Sequence, residues 1–369
     1  MLEVANVFSR YGNEYLHKFA DKMLPSHHRA FTDILKCRTD VMGGHVFRCD
    51  KCGHRHYSYH SCRNRSCPKC HKNDTATWIE QRHKELLDVE YYHVVFTLPQ
   101  ELRRIVRLHQ KKIYGTLMKS AAQAVIKLAA DPHYIGGLIG VLCVLHTWSS
   151  SLVYHPHAHC LIPAGGISAD KKHWLPARNN YLVPVKALSK IFRGIFTEMV
   201  RKELPDIELS SSIWQKDWVV YCKPTVQGAS KVLNYLGRYV HRVAITNSRI
   251  ISIEDGKVIF RYKDSKSHRS KIMTLKAQEF IRRFLQHVLP KGVHKIRYYG
   301  LWSPANRKHL YKIKELLNKG DAAQHSEPQQ DEISDFEKPP LLAGQKCPHC
   351  KIGTLVWVAR IYSHWRAPP

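Results

Sequence analysis

His155, Pro156, His157, Ala158 and His159 place three imidazoles within five residues. Along an extended strand, residues two apart share a face. His157 and His159 therefore stand side by side with Leu161 beyond them, while Ala158 and Cys160 point the other way. Two neutral imidazoles can hold a divalent cation and leave coordination positions open for an oxygen ligand. Proline cannot donate to a ladder, so the strand is expected to begin at His157. His155 in the preceding loop and His93 on an earlier strand then compete as a third ligand. The plainer alternative is a zinc site without catalysis, or a set of surface histidines.

Tyr235 and Tyr239 form the second group, four residues apart in a predicted helix over Ala229–Ala244. At ~100° per residue from Val232, the apolar residues Val243, Leu236, Ala229, Val240, Leu233 and Ala244 fall between ~20° and ~120°. Tyr235 falls at ~300° and Tyr239 at ~340°, beside Arg242, Lys231 and Arg238 at ~280°, ~260° and ~240°. The phenols thus stack at the border of a core stripe and a cationic edge. An aromatic pair at this spacing commonly just packs, but packing rings would sit nearer the middle of the stripe. Gly237 costs a helix interior ~1 kcal/mol, which suggests a close backbone approach.

Cysteines supply the third group. Cys49-Asp-Lys-Cys52 and Cys67-Pro-Lys-Cys70 are paired knuckles, fourteen residues apart, and are expected to close around one tetrahedral zinc ion. Cys37, His45, His54, His56, Cys62 and His71 are surplus donors, able to replace one of the four or to hold a second ion. Arg48, Lys51, Arg55, Arg63, Arg65, Lys69 and Lys72, interleaved with Tyr57 and Tyr59, suit contact with DNA through phosphate pairing and base stacking. Cys347-Pro-His-Cys350 is half of another such site and stays unassigned.

The elements that must position these groups mix helices and strands. Strands are expected at Tyr91–Leu98, Val141–Trp148, His157–Pro163 and Trp218–Cys222, with a hairpin through Asp255-Gly256. Helices are expected at Thr75–Val89, over Glu101–Ala130 in two pieces, at Leu188–Glu203, and at Leu275–Val288. This predicts an α+β fold with an antiparallel sheet, preceded by a small Cys-rich zinc module. The expected domains are 1–87 (zinc-binding, DNA-contacting), 88–310 (the sheet domain), 311–345 (an acidic disordered linker) and 346–369 (a tail carrying the last Cys pair).

Lys and Arg number 58 against 30 Asp and Glu, a net charge of +28 that favours a polyanionic partner. No stretch reaches the ~18 apolar residues of a membrane span, so no membrane partner is expected. Met1–Arg10 lacks an apolar signal core, and the expected location is the cytoplasm, at the nucleoid, where thiols stay reduced.

The motifs HSCRNRSCPKC (His60–Cys70), HVVFTLP (His93–Pro99), HTWSSSLVYHPHAHCLIPAGG (His146–Gly166), YLGRYVHR (Tyr235–Arg242) and KIRYYG (Lys295–Gly300) occur in this order over about the first 300 residues. Together they resemble the two-tyrosine HUH transposases of bacterial insertion sequences, the rolling-circle insertion-sequence-91 family, with its N-terminal transposase zinc-binding domain. The middle residue of that histidine pair is usually a bulky hydrophobe, and here it is Ala158. The resemblance implies an HUH endonuclease sheet and cleavage of single-stranded DNA at transposon ends through a 5′-phosphotyrosine, with rejoining to a target. It makes His157 and His159 ligands of a catalytic Mg²⁺ or Mn²⁺ and Tyr235 and Tyr239 the nucleophiles, with Lys231, Arg238 and Arg242 as DNA contacts and zinc as a structural ion. A rolling-circle replication initiator or relaxase would use the same chemistry. A non-catalytic zinc-containing DNA-binding regulator is the alternative from another class.

Overall fold

The computed structural model describes residues 2–70, 85–178, 181–225, 237, 243–264, 267–318 and 342–364. Two amphipathic helices open the chain, α1 (Val4–Phe19) and α2 (Pro25–Lys36), the second with proline in its first turn, where the missing N–H costs nothing. The strands β1 (Gly44–Cys49) and β2 (Arg55–Tyr59) form a hairpin with Cys49 and Cys52 at its tip. After β3 (Tyr91–Thr97) the chain enters α3 (Arg103–Leu108) and α4 (Gln110–Ala129), which are separated at His109.

β4 (Gly140–Trp148) and β5 (Tyr154–Pro163) pair antiparallel. The short β6 (Gly165–Ile167) and β7 (Trp174–Pro176) pair with each other, and α5 (Val185–Glu203) follows. Beyond β8 (Val220–Pro224), the strands β9 (Ile250–Glu254), β10 (Lys257–Lys263) and β11 (Ser270–Lys276) make a three-stranded meander. Asp255 and Gly256 turn its first hairpin with φ of 48° and 70°, as the Asp-Gly pair predicts. Then come α6 (Ala277–Leu285), β12 (Ile296–Gly300), α7 (Leu310–Asn318) and β13 (Leu355–Ile361).

The fold is α+β, with antiparallel sheets and seven helices among the described residues. The largest sheet runs β12-β4-β5-β3-β8. Helices α4 and α5 cover one face through Leu117, Ala121, Phe192 and Phe196, packed on Val94, Phe96, Cys143, Ala158 and Cys160. Gly300, with φ of 61°, ends β12 so close to the Ile139 carbonyl that a side chain there would collide with it.

Several expectations change. β5 starts at Tyr154, so Pro156 lies inside the strand; the register of β4 slips between His146 and Trp148, and this irregularity absorbs the missing N–H. Ser270–Lys276 forms β11 where only the helix that follows had been expected. The linker expected from 311 does not cover 311–318, which are helical, with Leu310 and Ile313 burying an apolar face beside Trp302 and Leu301. The acidic stretch 319–341 and most of the helix expected over Thr75–Val89 lie outside the described residues. Helices α1 and α2 do not form a core with the cysteines alone. Phe8 stacks on Phe31 at 4.6 Å and meets Phe284 of α6 edge-on at 5.4 Å, so the first 36 residues share one core with residues 244–288. No helix among the described residues is long and apolar enough to cross a membrane.

Candidate active site

The sheet face away from α4 and α5 carries the histidines. Strand alternation sends Pro156, Ala158 and Cys160 into the helical core and leaves His155, His157 and His159 on the opposite face. Register brings two more rings to that face: His146 on β4 lies opposite His157, and His93 on β3 is two residues from Val95, which pairs with His159. Ala158 is fully buried in the helical core, so the small residue of the motif lies behind the site.

Three of the rings converge. His146, His157 and His159 each offer a nitrogen within 4.8 Å of the others. The third member is therefore His146, in place of the expected His155 or His93. Both of those residues support the site instead, His155 through its carbonyl and His93 through its ring. The His155 carbonyl lies 2.6 Å from His157 Nδ1, which as an N–H donor is then committed, so Nε2 is the nitrogen that can face an ion. His93 Nε2 lies 2.8 Å from His159 Nδ1, with the two rings nearly parallel. Burial pushes the His93 pKa down to about 4, so at neutral pH it is an uncharged partner able to accept that proton. His146 is 2% exposed and stacks on Trp148 at 4.7 Å, and Lys295 Nζ lies over a Trp148 ring at 5.0 Å. The histidine pair is legible from spacing alone, whereas His146 is separated in sequence and joins them only through strand register.

Tyr235 and Tyr239, together with Lys231, Arg238 and Arg242, lie outside the described residues. The described ends that bracket them are placed. Thr225 donates its N–H to Tyr91 O, at the end of β3 that pairs with Pro163. Val243 and Ala244 line a small cavity with Trp148 and Lys295, at the other end of the histidine face.

The thiols do not form the single site expected. Cys67 and Cys70 group with Cys37 and Cys62, whereas Cys49 and Cys52 group with Cys347 and Cys350. The physical reason is the β1–β2 hairpin: β2 carries the chain about 16 Å away from the tip before Cys62 is reached. In the first group the Cys37–Cys70 and Cys62–Cys70 sulfurs are 3.7 and 3.6 Å apart. A tetrahedron with Zn–S of about 2.3 Å has edges of about 3.8 Å, so the donors fit zinc. The electrostatics agree. Hydrogen bonds from the neighbouring thiols, Cys37 foremost, hold Cys70 far below the usual thiol range, while the same crowding pushes Cys62 and Cys67 up. Holding all four as thiolates would take a cation, since the crowding otherwise keeps Cys62 and Cys67 protonated.

Two basic residues of this module have structural roles. Arg65 donates to the carbonyls of Leu289, Pro290 and Val293, and Lys69 pairs with Glu3 at 2.7 Å. Arg48, Arg55, Arg63 and Tyr57 remain exposed.

Two family models match the chain: one described as "Putative transposase" over residues 140–309, and the "Transposase zinc-binding domain" over residues 7–98. The chain is 39% identical over its whole length to "Putative transposase y4qJ" of Sinorhizobium fredii, spanning 97% of that protein. It is 28% identical to the "Transposase for insertion sequence element IS801" of Pseudomonas savastanoi pv. phaseolicola, over 78% of this chain and 73% of the relative. No solved structure matches. The converging His146, His157 and His159 fall within the first model and the Cys37–Cys70 cluster within the second, and the chain belongs to the insertion-sequence-91 family of transposases, enzymes that act on DNA, with an N-terminal zinc-binding domain.

Proposed function

We propose that this transposase cuts and rejoins single-stranded DNA at the ends of its element through a 5′-phosphotyrosine, the step that drives rolling-circle transposition. The observation that carries the reading is the convergence of His146, His157 and His159 on one sheet face, with Nδ1 of His157 and of His159 committed to partners. The donor set also discriminates between ions. Mg²⁺ prefers oxygen donors and keeps its waters, and the softer Mn²⁺ accepts imidazole nitrogen more readily, so Mn²⁺ is the better fit of the two. Bound there, the ion supplies Lewis-acid polarisation of the scissile phosphate, and with three neutral ligands it keeps its full charge for that task.

In this reading Tyr235 or Tyr239 is the nucleophile. Its phenolic oxygen attacks phosphorus and loses its proton, and the bond to the 3′ oxygen breaks. A 5′-phosphotyrosine and a 3′-hydroxyl result. The phosphodiester's energy stays in the new bond, so resealing needs no ATP. A free phenol has a pKa of ~10, so about one in a thousand is ionised at pH 7, and positioning and nearby positive charge must supply the activation. Lys231, Arg238 and Arg242 share the cationic edge beside these phenols and would neutralise the phosphate. The bracketing residues support the placement. Val243 and Ala244 are not helical, so the helix expected from Ala229 would run at most to Arg242, 14 residues or about 21 Å, and Thr225 and Val243 lie at opposite ends of the histidine face. The exposed Arg48, Arg55 and Tyr57 suit the recognition of DNA by the zinc-binding domain.

The test is incubation of the full chain with end-labelled single strands from the element's termini and Mn²⁺, followed by a denaturing gel. A covalent protein–DNA band is expected, and it should vanish when both Tyr235→Phe and Tyr239→Phe are present while DNA binding persists. A band formed by that double variant would refute the assignment.

A further inference from the structure

Cys347 and Cys350 lie beyond the matched zinc-binding domain, which ends at residue 98. They nevertheless face Cys49 and Cys52, roughly 300 positions earlier in the chain. The Cys49 and Cys350 sulfurs are 3.7 Å apart, and those of Cys52 and Cys347 are 3.8 Å apart. Both values match the ~3.8 Å edge of a zinc–thiolate tetrahedron and are far from the ~2.05 Å of a disulfide.

The two knuckles are built alike. Gly53 N–H donates to Cys49 O at 3.1 Å, and Lys351 N–H donates to Cys347 O at 2.9 Å, the same turn in each pair. Each Cys pair is followed at once by a residue in the left-handed region, Gly53 with φ of 71° and Lys351 with φ of 61°. That is a costly conformation for lysine, and the second knuckle adopts it nonetheless. Gly353 has no room for a side chain, because a Cβ would run into Cys49 Sγ and Asp50. The surroundings lock the approach. Asp50 accepts from Thr354 N–H at 2.8 Å and from Thr354 Oγ1 at 2.9 Å, and His54 stacks on His349 at 4.6 Å. β13 then pairs antiparallel with β1 from Cys49↔Leu355 to Gly44↔Ile361. Cys49, Cys347, Phe47 and Leu355 form a small buried cluster of their own.

We propose that Cys49, Cys52, Cys347 and Cys350 bind a second structural zinc ion, a clasp that fastens the end of the chain onto the N-terminal zinc-binding domain. The clasp makes β1 a central strand. Without β13, β1 would be an exposed edge, free to pair with another chain. The hydrogen-bonded strand contact is small, and a structural zinc site adds folding free energy outright, which is what a short strand at the end of a long excursion needs.

Cobalt substitution of the full chain tests this, because thiolate-to-cobalt charge-transfer absorption counts thiolate-bound ions and ignores any ion held by imidazoles alone. The intact chain should bind two thiolate-bound equivalents, and the Cys347→Ser/Cys350→Ser double variant should bind one. Cys350→His, which keeps four donors, should bind two, with a shifted visible spectrum from the changed ligand. A single thiolate-bound equivalent in the intact chain would overturn the clasp. So would two equivalents retained by the double serine variant. Neither result depends on DNA cleavage, so the clasp and the nuclease reading fail separately.

Discussion

Replacing His93 by phenylalanine separates a ligand from a support. The ring is 8% exposed and lies 5.1 Å from the His159 ring at an interplanar angle of 6°, so phenylalanine keeps the shape and removes only the nitrogens. What disappears is the 2.8 Å contact to His159 Nδ1. Loss of such an outer partner typically weakens metal binding 10- to 100-fold, or about 1.4–2.8 kcal/mol. His146→Ala removes a nitrogen from the converging set itself and should weaken binding more. The assay is titration with Mn²⁺, followed by the paramagnetic signal of the free ion, with circular dichroism confirming that each variant is folded. Expected affinities descend from intact chain to His93→Phe to His146→Ala. Unchanged affinity in His93→Phe would refute its supporting role. The reverse order, with His93→Phe abolishing binding and His146→Ala tolerated, would show that His93 is the ligand and that the geometric set is wrong.

Tyr114 and Tyr154 share a 2.7 Å hydrogen bond between hydroxyls that are both buried. Tyr154→Phe strands the partner hydroxyl and should cost about 1–3 kcal/mol in chemical denaturation, whereas adding Tyr114→Phe should restore most of it; additive losses would contradict this. His287 is held neutral, because burial pushes its pKa down to about 3, while Leu152 O and Thr147 satisfy its two nitrogens. Unfolded, it titrates near ~6.5, so below that pH the unfolded chain binds a proton that the folded chain does not. Its contribution is complete above ~6.5 and falls by about 1.4 kcal/mol per pH unit as the pH drops toward its folded value. His287→Gln should flatten the pH dependence of stability by that slope between pH ~6 and ~4, and identical slopes would sink the assignment.

The parts of the fold that the sequence revealed are those whose signal is local. The aromatic and β-branched run Tyr91–Thr97, the Asp255-Gly256 turn and the apolar face of Leu188–Glu203 each sit within a short window, and β3, the β9–β10 hairpin and α5 follow. β4 is different: all nine residues are buried, so alternation carries no information there, and composition alone marks it as a strand. β11 was hidden because Lys271, Thr274 and Lys276 break its apolar pattern on an exposed edge. At the site, the spacing of His157 and His159 is local and readable. His146, paired with His157 across β4 and β5, depends on register, which no spacing rule supplies. The knuckles show the same limit more sharply. Each Cys-x-x-C is legible, but its partner is chosen by chain path: the hairpin separates Cys52 from Cys67, and β13 delivers Cys347 and Cys350 from the far end.

The two kinds of site differ in how their donors are charged, and that difference bears on what each can do. The thiol clusters can supply four negative donors, which more than cancel the charge of a divalent ion and leave no position for a substrate; such sites hold chain segments together. The histidine set supplies three neutral donors and, among the described residues, no carboxylate joins it, so an ion there would keep both its charge and open positions for oxygen. The support also differs. The histidines stand on the central strand β5 and its neighbour β4 in a five-stranded sheet with a packed helical core behind them, so their spacing is fixed by ladder register. The proposed nucleophiles belong to a separate segment, joined to that sheet at Thr225 and Val243. A cut-and-reseal cycle needs this division. In the proposed cycle the sheet would hold the phosphate through the ion, and a tyrosine would hold the cut strand covalently until it is rejoined.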